Sequence, residues 1–470
     1  MNTTETPAAP QFPKWVGPVI FGLTAGIIVV LALLAISIME RRWEAQRPAL
    51  VLKPIAQWEP NNAVWGQNYP REYESYLRTR ETGTRSKFGG GPPRNYLNAD
   101  PLQVILFAGY PFSKEYNQAR GHYYSVTDVS STKRVNAKTP GTCWTCKSTD
   151  VPKKMAELGV DNFYKQHFAD LKSAITHPIG CQDCHDPATM NLRITRPALR
   201  EAFAAQGRKI GDATHQEMRS LVCAQCHVEY YFRDKYYLAF PWDQGKGLTV
   251  EDFIAYYDER DFTDYVHAVS KAPMLKAQHP DFELYSQGVH AYRGVSCADC
   301  HMPYRSEGGV KFTDHHVQSP LLNIANSCAV CHRWSEDEIR HRVETIQTKV
   351  LATKAEAERA LVQAHFDIAA AAQAGVADAD LAAARKLIRH AQFRWDFISA
   401  ANGAGFHAPQ EATRILADAI NEAQQVRLDI ARRLAAKGIS ATPKYPDVST
   451  REKADAVMKA FEASQKVELL

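Results

Sequence analysis

Hydrophobic and polar positions follow three different rhythms along this chain. From Trp15 to Met39 no residue is charged, and apolar side chains run through Val19-Ile20-Phe21, Ile27-Ile28-Val29-Val30-Leu31 and Leu33-Leu34. These 25 residues exceed the roughly 20 that a helix needs to cross a bilayer. Beyond residue 334 the rhythm is that of amphipathic helices. Ser335-Glu336-Asp337-Glu338 reads as a capping box, Ile339, Val343, Ile346 and Val350 recur at helical spacing, and no Gly or Pro interrupts before Gly375. A helix is predicted over 336–373, a second over 379–401 ended by Asn402-Gly403, a third over 409–437 with Pro409 in its first turn, and a shorter fourth over 451–466. Between residues 71 and 334 neither strand alternation nor a βαβ rhythm is sustained, although aromatics and histidines are frequent.

The expected organisation is therefore an N-terminal tail (1–14), a transmembrane anchor (15–39), a linker (40–70) punctuated by Pro48, Pro54, Pro60 and Pro70, a central region (71–334) and a C-terminal long-helix region (335–470). An uncleaved anchor is favoured over a signal peptide. The apolar run is longer than the usual 7 to 15 or so residues, and Ser37-Ile38-Met39-Glu40-Arg41-Arg42 offers no small-x-small cleavage site. Arg41 and Arg42 after the span, against Lys14 before it, pull the following body toward the cytoplasm by charge counting. The cysteine chemistry points the other way.

All ten cysteines fall into five C-x-x-C pairs. Four of these end in histidine: Cys181…Cys184-His185, Cys223…Cys226-His227, Cys297…Cys300-His301 and Cys328…Cys331-His332. C-x-x-C-H is the attachment signature of c-type haem, whose vinyl groups take the two thiols while the histidine ligates iron. Zinc ribbons would combine the pairs in twos and strand one of five, and a thioredoxin-like pair would occur once beside a βαβ unit. Haem attachment also implies an exported setting, so the body is expected on the periplasmic or extracellular side. A body whose apolar centre is largely porphyrin explains the muted rhythm of the middle. The composition, 45% hydrophobic and 23% charged, is ordinary for a globular chain. The formal charge of +4 says little about partners, because haem propionates would add about ten negative charges. No nucleic-acid signal is present.

The first motif, Cys143-Trp144-Thr145-Cys146-Lys147, carries lysine where the others carry histidine. An amine binds iron only when neutral, so the fold must desolvate it and hold it deprotonated. Such a choice sets one haem apart. The four histidine motifs suit electron carriage, and the lysine motif suits substrate binding.

With that motif pattern the chain resembles the pentahaem cytochrome c nitrite reductases, the ammonia-forming enzymes, over roughly residues 62–437. The likeness also rests on Cys226-His227-Val228-Glu229-Tyr230-Tyr231-Phe232, on Pro273-Met274-Leu275-Lys276-Ala277-Gln278-His279-Pro280 and on Arg389-His390-Ala391-Gln392-Phe393-Arg394-Trp395-Asp396. The resemblance implies a mainly α, compact haem-packed body with five covalently bound haem c groups. It implies distal ligands at His122 for the third haem, His290 for the fifth, His315 for the second and His407 for the fourth. Residue by residue, nothing separates these from His316 beside His315 or His177 before Cys181. Nine axial positions are then filled, and the tenth, opposite Lys147, is left for substrate.

The same resemblance puts Arg134, Tyr230 and His279 around that open position, where a guanidinium attracts an anion and an imidazole and a phenol relay protons. The segment between Arg134 and Cys143 is shorter than in some relatives. A Ca²⁺ site is implied at the Glu229 carboxylate, the Gln278 amide oxygen and the carbonyls of Tyr230 and Lys276, a set of hard oxygen donors. The expected activity is six-electron reduction of nitrite to ammonium, fed by a membrane quinol-oxidising multihaem cytochrome c. A homodimer is expected, with the long helices packing on the haem body, on a second copy, or both. Rival functions are a membrane-tethered electron conduit and a multihaem reductase of sulfite or tetrathionate.

Overall fold

The computed structural model describes residues 13–46, 52–465 and 467–470. Most of the expected N-terminal tail (1–12) and the Pro48 part of the expected linker lie outside the described residues. The chain divides into two compact units. One comprises residues 1–53 with 305–312, and the other residues 54–304 with 313–470.

The first unit holds helix α1, Val16–Gln46. It continues past Met39 through Glu40, Arg41 and Arg42, because helix propensity does not stop where hydrophobicity does. Residues Val16–Arg42 are long and apolar enough to cross a membrane, about 40 Å at 1.5 Å per residue.

The second unit is mainly α. Its middle is built from short helices and two two-stranded antiparallel pairings. Among these, β1 (Tyr231–Arg233) pairs with β2 (Tyr237–Ala239), and β3 (Tyr265–Val266) pairs with β4 (Pro273–Met274) in the register Tyr265↔Met274. The second pairing folds the 264–280 segment back on itself, which delivers Lys276, Gln278 and His279 to the interior.

Three long helices follow: α2 (Glu336–Gln373), α3 (Asp378–Ala400) and α4 (Pro409–Ala436), mutually packed, with the shorter α5 (Arg451–Glu462) after them. Ser335 caps α2 by accepting the Glu338 amide at 3.2 Å, and Glu336, Asp337 and Glu338 set negative charge on the positive end of its dipole. Alanines at 357, 360, 364, 369, 370 and 371 are all buried, so backbones approach closely where α2 meets its neighbours. Pro409 opens α4, where its missing N–H leaves no bond unmade. Trp395 of α3 is fully buried against Phe107, ring centres 5.6 Å apart, which ties the helices to the irregular middle.

Candidate functional site

Lys147 follows a single 3-10 turn, Gly141–Trp144, that is fixed from several sides. Trp144 stacks on Phe168 at 4.2 Å and donates its indole N–H to the Phe168 carbonyl at 3.0 Å. Arg196, 1% exposed, donates to the carbonyls of Thr145 (2.7 Å) and Ser148 (2.9 Å), which bracket the lysine, and pairs with Asp183 inside the second motif at 2.6 Å. Ser125 Oγ donates to the Lys147 carbonyl at 2.7 Å. Among the described residues no carboxylate pairs with the half-buried Lys147 side chain, in contrast to the buried Lys276–Asp396 pair.

The five motifs form a connected chain. Cys146 adjoins Cys226, and Cys223 adjoins Cys297, whose amide donates to Ser220 Oγ at 3.1 Å. Cys184 is an electrostatic neighbour of Cys223, and Cys328 of Cys300. The third motif is thus the junction that adjoins the first, second and fourth, and the fourth adjoins the fifth. Spatial order was not legible in the sequence.

Each expected distal histidine faces a motif histidine. Ring centres are 6.5 Å apart for His122 and His227, 6.2 Å for His315 and His185, 6.3 Å for His407 and His301, and 6.3 Å for His290 and His332. Two imidazoles bound to opposite faces of one metal at about 2 Å have ring centres about 6 Å apart, so the four pairs fit a bis-histidine iron. Backbone carbonyls can only accept, so His185 Nδ1–H donates to Met190 (2.9 Å), His301 Nδ1–H to Gln318 (2.9 Å) and His315 Nδ1–H to Thr313 (2.7 Å), which leaves Nε2 with its lone pair free for metal. Burial pushes His122, His185 and His301 down to about 4, into the neutral form that ligates. His177 is instead bonded to Asp150 at 3.0 Å, and the His316 amide is tied to Asp314 at 3.0 Å. His227 has a second ring neighbour, His279, at 6.3 Å, so separation alone does not choose its counterpart.

Around the first motif lie the residues expected to meet substrate. Burial raises the Tyr230 phenol well above its usual range, Cys146 and Cys143 add to the rise, and Arg134 is near enough to oppose it. The Arg134 guanidinium sits 4.3 Å over the centre of the Phe112 ring and donates from Nε to Thr132 Oγ1 at 3.2 Å. Burial lowers His279 to about 3, and among the described residues its Nδ1 is buried without a partner.

Next to Tyr230 is a cluster of buried oxygens. Glu229, 0% exposed, accepts Tyr257 O–H at 3.1 Å and the Gln278 amide at 2.6 Å. Glu283, also 0% exposed, accepts the Glu229 amide (3.0 Å) and Trp242 Nε1–H (3.1 Å), while its second oxygen has no partner among the described residues. Burial raises Glu229 well above the carboxylate range and Glu283 to about 8. The Gln278 amide group meets the Lys276 carbonyl at 3.1 Å through its nitrogen, and turning that amide over would aim two oxygens at one point, as a cation requires.

Comparison with known proteins places this arrangement. The family described as Cytochrome c552 matches residues 61–468. The chain belongs to the cytochrome c552 family. A cytochrome c-552 of Bacteroides fragilis is 50% identical over 453 residues, covering 94% of this chain and 92% of that one. The cytochrome c-552 of Porphyromonas gingivalis is 49% identical over 454 residues, covering 94% and 91%. Among solved structures, the catalytic subunit of a cytochrome c nitrite reductase from Desulfovibrio desulfuricans, described with two calcium sites, aligns with a TM-score of 0.77 at 33% identity, covering 81% of this chain and 88% of that one.

In a cytochrome c552 the ten free thiols are accounted for by five covalently attached haem c groups. Several residues that shape the site were not picked out from the sequence. Arg196, Asp281 and Glu283 carry no motif, although Asp281 and Glu283 stand within four residues after His279. Asp396 closes a stretch that marks the family resemblance, but nothing in its spacing says that it clamps Lys276.

Proposed function

We propose that this cytochrome c552 reduces nitrite to ammonium with six electrons, at the haem attached to Cys143 and Cys146 and ligated by Lys147. The observation that supports it is the ligand count: each of the four expected distal histidines lies opposite a histidine-ended motif, and the family pattern provides no fifth distal ligand for the lysine-ended one. His122 is taken as the counterpart of His227, and His279 is left for the lysine side, following the family residue pattern. When bound, the lysine-ligated haem supplies an iron with one exchangeable position and a route for electrons. The chain's own residues do the rest. The Arg134 guanidinium draws an anion toward the Lys147 motif. Neutral His279 and the un-ionised Tyr230 phenol hydrogen-bond the bound oxyanion and pass protons to the departing oxygens.

Calcium is proposed at Glu229, Gln278 and the carbonyls of Tyr230 and Lys276. Two fully buried carboxylates side by side need a cation or a proton to offset desolvation and mutual repulsion, and oxygen-only donors favour Ca²⁺. Helix α1 is proposed as a retained anchor with the haem body on the periplasmic or extracellular side, a homodimer as the working form, and a membrane quinol-oxidising multihaem cytochrome c as electron donor.

The test is electron paramagnetic resonance of the purified oxidised protein together with a viologen-driven assay. One high-spin ferric signal that changes on adding nitrite, with ammonium as product, is expected. Five low-spin haems and no ammonium would leave an electron conduit, while turnover with sulfite or tetrathionate in preference to nitrite would reassign the substrate.

A further inference from the structure

The motif histidines differ in what holds their second nitrogen. His185 and His301 donate to neutral backbone carbonyls, and His332 stacks on Trp334 at 5.1 Å. His227 alone among them donates to a carboxylate, Asp281 Oδ2, at 3.1 Å. Asp281 is 7% exposed and held in place by the segment after α3: Asn402 N–H donates to Oδ1 at 2.5 Å, and Asn402 Nδ2–H to Oδ2 at 2.9 Å. Oδ2 is therefore shared between His227 and the Asn402 amide.

We propose that Asp281 is a positioning and tuning residue that holds the haem of the third motif at a lower potential than its neutral-acceptor neighbours. A carboxylate accepting from Nδ1–H pulls that proton away from the ring and makes the imidazole a stronger donor to iron. Stronger donation and the nearby negative charge stabilise ferric over ferrous iron, and the burial of Asp281 limits the water that could screen its charge. The placement matters because the third motif is the junction between the first, second and fourth. A haem held there by Cys223, Cys226 and His227 would, at a lowered potential, be a reluctant electron acceptor and a ready donor to its neighbours. The backbone amide of Asp281 also donates to the His279 carbonyl at 2.6 Å, so the same residue ties the tuned haem to the proton-relay side.

This role for Asp281 rests on His227 being a ligand. Potentiometric titration of the holoprotein, followed by visible absorption and by the low-spin ferric resonance signals, tests the two separately. Four low-spin signals in the unsubstituted protein carry the ligand assignment. Asp281→Asn is expected to raise one couple of the four by about tenfold in its ferric-to-ferrous equilibrium, 59 mV for one electron, and Asp281→Glu to restore it. Asn402→Ala, which removes only the side-chain competitor for Oδ2, is expected to move that same couple the other way. Unchanged couples in Asp281→Asn, a uniform shift of all four, or a downward shift would overturn the proposal. Should Asp281→Asn fail to mature, the Asn402→Ala shift decides alone: downward supports the proposal, and no shift or an upward one overturns it.

Discussion

At the scale of single residues the sharpest question is which imidazole faces His227. His122 and His279 lie 6.5 and 6.3 Å from it, and both are neutral. If His122 is the ligand, His122→Ala removes one low-spin signal, while His279→Asn keeps all four and lowers nitrite turnover about 10²-fold or more, the range for loss of a positioned proton donor. The opposite result, a lost low-spin signal in His279→Asn, would exchange their roles. The covalent chemistry was legible in the sequence because C-x-x-C-H is specific, and Lys147 stood out by breaking it. The supporting shell was not. Arg196, Asp281 and Glu283 act through burial and hydrogen bonding to backbone or imidazole, and a charged residue reveals neither until its neighbours are known.

At the scale of elements, legibility followed periodicity. The long C-terminal helices end within a few residues of their predicted limits because one face packs on protein and the pattern records it. The α5 helix stops at Glu462, short of residue 466, where Ala463-Ser464 turns with Ser464 at φ 54. The middle gave no such signal, since short segments arranged around cofactors have no repeating face. Two predictions belong to the helices. Asp396 on α3 binds Lys276 Nζ and the Ala277 amide, each at 2.9 Å, with the ion pair 0% and 1% exposed. Asp396→Ala strands a buried ammonium beside the candidate calcium ligands, so unfolding free energy should fall by about 3–5 kcal/mol in urea melts, with Ca²⁺ lost at lower chelator concentration. His365 on α2 stacks on His267 at 3.7 Å, both fully buried, and bonds Ser270 at 2.8 Å and Gln392 at 2.7 Å. Burial lowers His365 from 6.5 to about 4. Between those values the unfolded chain binds a proton that the folded one refuses, so stability is intact above pH 6.5 and declines as pH falls toward 4. His365→Gln should flatten that slope in the urea midpoint measured from pH 7 to 4, and an unchanged slope would mean that other groups set it.

At the scale of the whole molecule, the proposed retention of helix α1 would hold the haem body at a membrane. Helix α1 carries no polar stripe between residues 16 and 39, so as a surface helix it would expose apolar side chains on every side, and a bilayer is the solvent that removes that penalty. A cleaved signal would look similar up to the apolar core but would be absent from the mature protein. The helix, however, runs on through Arg41 and Arg42 to Gln46, and Ser37-Ile38-Met39-Glu40-Arg41-Arg42 offers no small-x-small site. The full chain expressed with its haem-attachment machinery is therefore expected in the carbonate-resistant membrane fraction with its N-terminus intact by mass. Replacing residues 1–46 by a cleavable export signal should move the protein, with five haems per chain and viologen-driven turnover retained, into the soluble periplasmic fraction. Its quinol-driven rate should fall, because tethering confines the body near a membrane donor and raises their effective concentration. A native protein whose mass begins after residue 46 would show instead that α1 serves only for export, and the donor would then have to be met by diffusion.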